Sequence, residues 1–323
     1  MFKVFIVVFL IFGTIVGSGF SSGMEIVVFF SRFGNWSYLF IVLACVLFFG
    51  VTYFFLKFGA KIVEKLESSK ILNVIIVALS LVFAASMFAG MESLFSYFPR
   101  WLYALTVAVM LIVSVWAVCR GVSGLEKANF VLVPLLSAVF FVLLCVLAQN
   151  EKQIDVQFSN VWAGVLYSPL FVALNSSMGS IVISKAGVGL TKKQTVLSSL
   201  FSSLLIFVFL TLGNFVLLKC PESFSSDMPL LYLSQNNSFL FVLSYVVILL
   251  GCLTSVVSMC YTLKLSLEKI VRHNFCSSCL AVFLPFLVSG VGFSQIVVYL
   301  YPLCSVFGIF VLVFFLVETG RSR

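Results

Sequence analysis

The stretch FGTIVGSGFSSGMEI, residues 12 to 26, decides how this chain is read. Gly13, Gly17, Gly19 and Gly23 are interleaved there with Ser18, Ser21, Ser22 and Glu25, while VFIVVFLI precedes and IVVFF follows. The flanks are apolar enough for a lipid bilayer. Glycine in a helix interior costs about 1 kcal/mol relative to alanine. A helix is therefore expected to enter, break near residues 13 to 19, and resume. In hydrocarbon, unwound backbone is tolerated only where it is buried in protein or lines a cavity. The stretch thus marks an interior place in a membrane protein.

The rest of the chain agrees with that setting. Hydrophobic residues make up 62% of it and charged residues 9%, with a mean hydropathy of +1.23. A soluble domain is about half apolar and a quarter charged. Apolar runs of roughly 20 to 28 residues suit helices crossing a core of about 30 Å, and the period-two alternation of barrel strands is not found. Ten spans are expected, over residues 2–31, 36–58, 70–97, 101–119, 128–149, 158–184, 194–219, 238–263, 274–292 and 294–318. The last two are separated by little more than GFSQ. The longest polar connection, Lys219 to Ser238, has no room for a soluble domain, so residues 1–323 form a single transmembrane domain. The N-terminal run is expected to remain as a span and not to be removed as a signal peptide, because apolar sequence resumes after the small residues.

Charge gives the orientation. With both termini cytoplasmic, Arg32, Arg100, Lys152 and Lys219 fall outside and the remaining fifteen of the 19 Lys and Arg fall inside. This is the asymmetry of the positive-inside rule. The net charge of +8 is therefore a topology signal and implies no nucleic acid as a partner. The expected location is a bacterial cell membrane, crossed many times, with the bilayer itself as a partner. Most of the nine cysteines lie within apolar spans as small hydrophobes. Cys276 and Cys279 have no second pair, so no metal centre is expected there.

A second break is expected in the sixth span, VWAGVLYSPLFVALNSSMGSIVIS, residues 161 to 184, where Pro169 removes a backbone donor and sets the break. Spans 1 and 6 open two five-helix halves, approximately residues 1–149 and 158–318. An odd number of spans per half makes the second enter from the opposite side, which is an inverted repeat. Paired breaks at equivalent positions point to a solute site near the bilayer midplane. Freed carbonyls there suit a cation, and half-helix N-termini suit an anionic group. Gly17, Ser18 and Gly19 would offer their main chain to a ligand, with Phe20 flanking the break.

Span 8 carries LLGCLTSVVSMCYTLK, residues 249 to 264. Gly251, Ser255, Ser258 and Thr262 recur at helical spacing on one small, polar face, with Thr254 beside it. Such a face serves either as a helix contact or as oxygen ligands for a small hard cation. The ten-span layout with breaks in spans 1 and 6 resembles the LeuT fold of the amino acid–polyamine–cation superfamily. Within it, the run GSGFSSGME in span 1 and FAGME in span 3 look like those of the YkvI-type membrane proteins. The segments VGSG and GCLTS are similar to those that build the superfamily's shared sodium site. The resemblance then implies one Na⁺ held by the carbonyls of Gly13, Val16 and Gly251 and the hydroxyls of Thr254 and Ser255. A second sodium site is not expected, since Phe20 stands where the neurotransmitter-type branch has an Asn. No other cofactor is implied.

Two carboxylates lie within spans, Glu25 and Glu92. An ionisable group in a span is costly unless it faces a cavity or a partner, which makes it a functional candidate. Either is placed to carry a coupling proton or bind a substrate ammonium; the alternative is an interfacial group pairing with Arg32 or Arg100. Tyr167, Asn175 and Ser176 of span 6 are expected to face the same cavity as substrate contacts. The reading is an ion-coupled secondary active transporter, using Na⁺ or H⁺ for alternating-access symport of a small solute such as an amino acid or related zwitterion. The alternative class is a membrane receptor or sensor on the same fold, binding without flux. An enzyme is not expected, because His273, the single histidine, lies in a loop and neither carboxylate has a visible acid–base partner.

Overall fold

The computed structural model describes residues 2–149 and 161–321. Lys152 and Arg323, assigned above to the outer and inner sides, and residues 158–160 of the sixth span lie outside them. Among the described residues every regular element is helical. Without water to receive N–H and C=O groups, a chain of this composition must satisfy them within each segment.

The first apolar run forms α1 (Phe2–Ile15), α2 (Ser18–Ser21) and α3 (Met24–Phe29), followed by a 3₁₀ turn at Ser31–Trp36. Next come α4 (Ser37–Lys57), α5 (Gly59–Ser68), α6 (Lys70–Leu94), α7 (Arg100–Cys119) and α8 (Val122–Leu147). The second half holds α9 (Val161–Met178), α10 (Ser180–Gly187), α11 (Lys192–Leu218), α12 (Pro229–Ser234), α13 (Ser238–Leu267) and α14 (Asn274–Val288). The chain ends with α15 (Phe293–Gln295), a π-helical turn at Ile296–Leu300, and α16 (Tyr301–Arg321).

Eight helical segments of the described residues are long and apolar enough to cross a bilayer, and α9 with α10 makes a ninth as a pair bent by 66°. By this measure the first of the ten expected spans is not counted. Its α1 has 14 residues, short of the about 20 a crossing needs, and the run after the break is divided between the short α2 and α3. The narrow boundary between the last two spans holds. A 3₁₀ turn at Ser289–Val291 ends α14, Gly292 takes φ +98°, and Phe293 starts the next helix.

A correction concerns Pro169. It lies inside α9, and the helix continues through it for nine more residues, to Met178. Ser168, just before it, donates to the carbonyls of Phe40 and Gly164. The bend falls at Gly179, between α9 and α10.

The packing has a reciprocal pattern. Helix α1 lies against α8, α11 and α13, while α9 lies against α16 and α4. Across the middle, α4 packs on α11 and α6 on α13. Helix α5, just after α4, rests on α10, where Gly59 abuts the backbone of Ser184. Helix α12, which follows α11, holds the second half of the first run: the Leu230 N–H donates to the Ser22 carbonyl at 2.8 Å. The outward faces are apolar. Ile71, Ile112, Trp162 and Leu287 are each more than two-thirds exposed, forming a surface that a bilayer covers.

Candidate functional site

The site is built by the two breaks. Helix α1 ends at Ile15, and Gly17 takes an extended conformation before α2. A second turn follows at Gly23, whose φ of +86° lies in the left-handed region that favours glycine. Together they aim Glu25, in the first turn of α3, into the protein, where it is fully buried. Asn175, near the end of α9, meets it there, with Nδ2 donating to Oε1 at 2.9 Å. The two broken segments are thus joined by one side-chain hydrogen bond.

Two other spans converge on the same point. Gly19 passes beside the carboxylate: a Cβ placed there would lie 3.3 Å from Glu25 Oε2 and 3.4 Å from the Tyr301 ring. Tyr301 opens α16, is fully buried, and stacks on Phe83 of α6 at a centroid distance of 5.0 Å. Its hydroxyl lies 2.6 Å from Ser86 Oγ. Ser18 donates through its hydroxyl to the Ser86 carbonyl at 3.3 Å, and through its N–H to Met87 Sδ at 3.2 Å. Glu25, Asn175, Ser18, Ser86 and Tyr301 are each at most 2% exposed, so the site is closed on all sides.

One side of the closure is aromatic. Phe171 of α9 packs edge-on against Phe29 and Phe30, at 5.7 and 5.1 Å. Tyr167, expected at the ligand cavity, stands instead two turns away on this aromatic layer. Its ring lies under the Arg32 guanidinium at 4.0 Å and beside Phe29 and Phe33. Arg32 therefore does not pair with Glu25, and among the described residues no ion pair reaches that carboxylate; the pairs are Lys65–Glu318 and Lys264–Glu268. Glu92 is exposed on α6, while Ala85 and Ala89 of the same stripe are buried, so the structure does not bring it to Glu25. Phe20 turns its ring to Phe140 of α8, 6.3 Å away, in a core ladder that continues to Phe209. Ser176 is buried beside Asn175, with no hydrogen-bond partner among the described residues.

The contact between the first run and α13 lies next to this cluster. Ser255 Oγ donates to the Gly13 carbonyl at 3.1 Å, and Thr14 Oγ1 donates to Ser258 Oγ at 3.0 Å. A Cβ on Gly251 would meet Ser21 Oγ at 2.8 Å and the Gly17 carbonyl at 3.2 Å, so only glycine permits this approach. The polar face of α13 therefore packs on the break, as its spacing predicts. Of the five residues assigned to Na⁺, Gly13, Gly251 and Ser255 meet the partner segment. The Thr254 hydroxyl turns back to the Leu250 and Gly251 carbonyls of its own helix, each at 3.1 Å. Val16 is buried at the break, its N–H donating to the Phe12 carbonyl.

Sequence reasoning missed Tyr301, Ser86 and Met87. A signal for Tyr301 exists: Pro302 follows it, and the π-helical turn just before inserts an extra residue that re-aims the side chain, a feature common at functional sites.

Fold and site define a multi-pass, all-helical membrane protein with a closed polar centre. The chain is similar to two proteins of Bacillus subtilis strain 168. One is the uncharacterized membrane protein YkvI, 22% identical over 316 residues that cover 91% of this chain and 90% of the relative. The other is the uncharacterized protein YyaD, 26% identical over 340 residues that cover 97% and 96%. The similarity runs nearly end to end in both, and the chain is a distant homologue of each. No family model matches it.

Proposed function

We propose that the protein is an ion-coupled secondary active transporter that moves a small amine-bearing solute, such as an amino acid or related zwitterion, by alternating access. The observation that carries this reading is the buried contact between Glu25 and Asn175, which joins the two interrupted segments at a closed polar centre. A scaffold contact has no need of a carboxylate without a counter-charge, whereas a carrier needs a place where a ligand or proton changes the local balance.

The reciprocal packing supports a LeuT-type inverted repeat, with α1 to α8 as one half and α9 to α16 as the other. The contact of α1 with α8 then matches that of α9 with α16. Helix α5 on α10 likewise matches α12 on the second half of the first run. In this reading α1 to α3 form a tenth span and both termini are cytoplasmic. Na⁺ sits between the Gly13 and Val16 carbonyls, Gly251, Thr254 and Ser255, with the Thr254 hydroxyl rotating away from its own helix to reach it. Protons on Glu25 are the other coupling route. The protein is a carrier in the cell membrane, without catalytic chemistry.

The test is reconstitution into liposomes under imposed Na⁺ or pH gradients, with uptake of a radiolabelled amino acid and amine panel. Gradient-driven accumulation, lost in Glu25→Gln, is expected. Ligand binding without accumulation under either gradient would replace the carrier with the receptor class.

A further inference from the structure

We propose that the protein seats one ethanolamine phospholipid on the seam between α8 and α13, with its phosphate at Lys219, its ammonium at Glu222 and one acyl chain in the groove below. The proposal goes beyond the transport reading. It shares with it only the orientation that puts this end of the bundle outside.

Helices α8 and α13 pack on each other, and two cavities open along their seam. The first, of about 460 Å³, lies where α8 ends and α13 begins, with Leu147 and Leu240 on its apolar side. It also presents Lys219, Glu222, Gln235, Asn236 and Asn237. The second, of about 390 Å³, is lined by Ala138, Val139 and Val142 of α8 and by Val242, Leu243 and Val246 of α13, with no polar side chain. Val139 is eight residues before Leu147, and Val246 is six after Leu240. At 1.5 Å per residue the second cavity lies about 9 to 12 Å deeper. That is within a hydrocarbon half-layer of about 15 Å. Val142 and Val242 are 46% and 58% exposed, so the groove opens sideways to lipid.

A polar chamber above an apolar groove, on one helix seam, has the layout of a lipid with its head at the interface and a chain in the hydrocarbon. The charges select the head. Lys219 donates to the Ala148 carbonyl at the end of α8, and its ammonium lies 4.7 Å from the Phe215 ring centroid. These contacts fix it at the rim as a point charge for a phosphate. Glu222, three residues on, opens the 3₁₀ turn Pro221–Ser225 and is exposed. A carboxylate beside a phosphate is unfavourable where the headgroup brings no cation, which counts against a glycerol headgroup. A choline headgroup brings a cation without N–H donors. An ethanolamine ammonium has three donors, and its bonds to a carboxylate are the strong, charge-assisted kind. The amide oxygens of Gln235 and Asn236 are acceptors on the same wall. Asn237 spends its oxygen on the cap of α13, accepting from the Phe239 and Leu240 N–H groups. Its amide hydrogens are then what it offers a phosphate oxygen.

The experiment is native mass spectrometry of the purified, delipidated full-length protein. The micelles carry equal amounts of palmitoyl-oleoyl phosphatidylethanolamine, phosphatidylglycerol and phosphatidylcholine. The ethanolamine lipid is expected to be retained at least about threefold over each of the others, the size of one exposed ion pair. Glu222→Gln is expected to abolish that preference while lipid is still retained. Ala138→Trp, which fills the groove from an exposed position, is expected to reduce retention of all three lipids. Melting curves check that both variants fold, and the wild-type comparison stands without them. Equal retention of the three lipids, or a preference for either of the others, overturns the proposal. A preference that survives Glu222→Gln, or retention untouched by Ala138→Trp, also overturns it. A dimer that excludes lipid and is broken by Ala138→Trp would give the groove to a second copy of the chain instead.

Discussion

Substituting two glycines by alanine tests the register of the bent second segment. Gly187 ends α10 against α4: a Cβ there would lie 2.6 Å from Leu56 Cα and 2.7 Å from its carbonyl carbon, with the Leu56 carbonyl oxygen closer still. Ordinary contact begins at 3.4 Å, so α10 and α4 must separate by at least 0.8 Å, the difference of 3.4 and 2.6. The obstacle is backbone, which cannot rotate out of the way as a side chain can. Overpacking of this kind costs about 1–3 kcal/mol. Gly50, in the middle of α4, has nothing within 4 Å of its Cβ position. Gly50→Ala should therefore gain the helix preference of alanine, about 0.5–1 kcal/mol. The two variants should move the melting temperature of the detergent-solubilised protein in opposite directions, Gly187→Ala downward and Gly50→Ala upward, at one scan rate. Equal melting temperatures would refute the close approach of α10 to α4.

Three further outcomes are expected. If the contact between the first break and α13 holds Na⁺, the melting temperature rises in Na⁺ but not in K⁺ or Cs⁺ at fixed ionic strength. Linkage gives about 2.7 kcal/mol when Na⁺ is at a hundred times its dissociation constant. The rise disappears in Ser255→Ala, and its absence in the wild-type protein would leave protons as the coupling ion. Asn129 is fully buried beside Gly13, with neither amide atom partnered among the described residues. Since an unsatisfied buried polar group costs about 1–3 kcal/mol, Asn129→Leu should melt higher than wild type, and a lower melting temperature would mean that the amide has a bound water or ion as partner. Phe20→Leu should cost about 1 kcal/mol of stability through the Phe140 contact, within the range of hydrophobic core swaps, and leave amine affinity unchanged; a lost affinity would return Phe20 to the ligand.

How far the site could be read from sequence follows from the range of each interaction. The apolar runs, the break at Gly17 and the small face of α13 are local patterns, and all three stand in the structure. Glu25 was visible because a carboxylate amid VVFF and SGM has no bland explanation in hydrocarbon. Its partner was less so: Asn175 was one of several polar residues near a proline, and the proline drew the break ten residues too early. Helix α5 stayed hidden in a lysine-rich connection because its apolar side is only Ile62, Val63 and their neighbours. Ser86 and Tyr301 are short or aromatic side chains in apolar helices, where packing is the ordinary role. Only the hydrogen bond between positions 215 residues apart gives them another.

The two halves of the first run share a contact with α13, where Gly251 approaches Ser21, but their hydrogen-bonded ties differ. Helix α1 is tied to α13 through Ser255 to Gly13 and Thr14 to Ser258. The segment after the break is tied to α12 through Leu230 to Ser22, and to α9 through Asn175 to Glu25 and the Phe29, Phe30 and Phe171 rings. A continuous helix would make these attachments move as one body. With Gly17 extended between them, each half can part from its own neighbours while the other stays in place, which alternating access requires. A cation bound by carbonyls of the break and hydroxyls of α13 would hold the first half closed, while an ammonium on Glu25 and Asn175 would hold the second half to α9. Two ligands acting on two halves of one interrupted run couple through Gly17, so a residue able to stiffen that position should uncouple them while leaving each site's contacts intact. Alanine serves there if the flexible end of Met87, whose Cε would lie 2.6 Å from the new Cβ, turns aside. In Gly17→Ala, Na⁺ and amine should each still raise the melting temperature while losing their effect on one another's affinity. Mutual affinities that stay linked would place the hinge elsewhere.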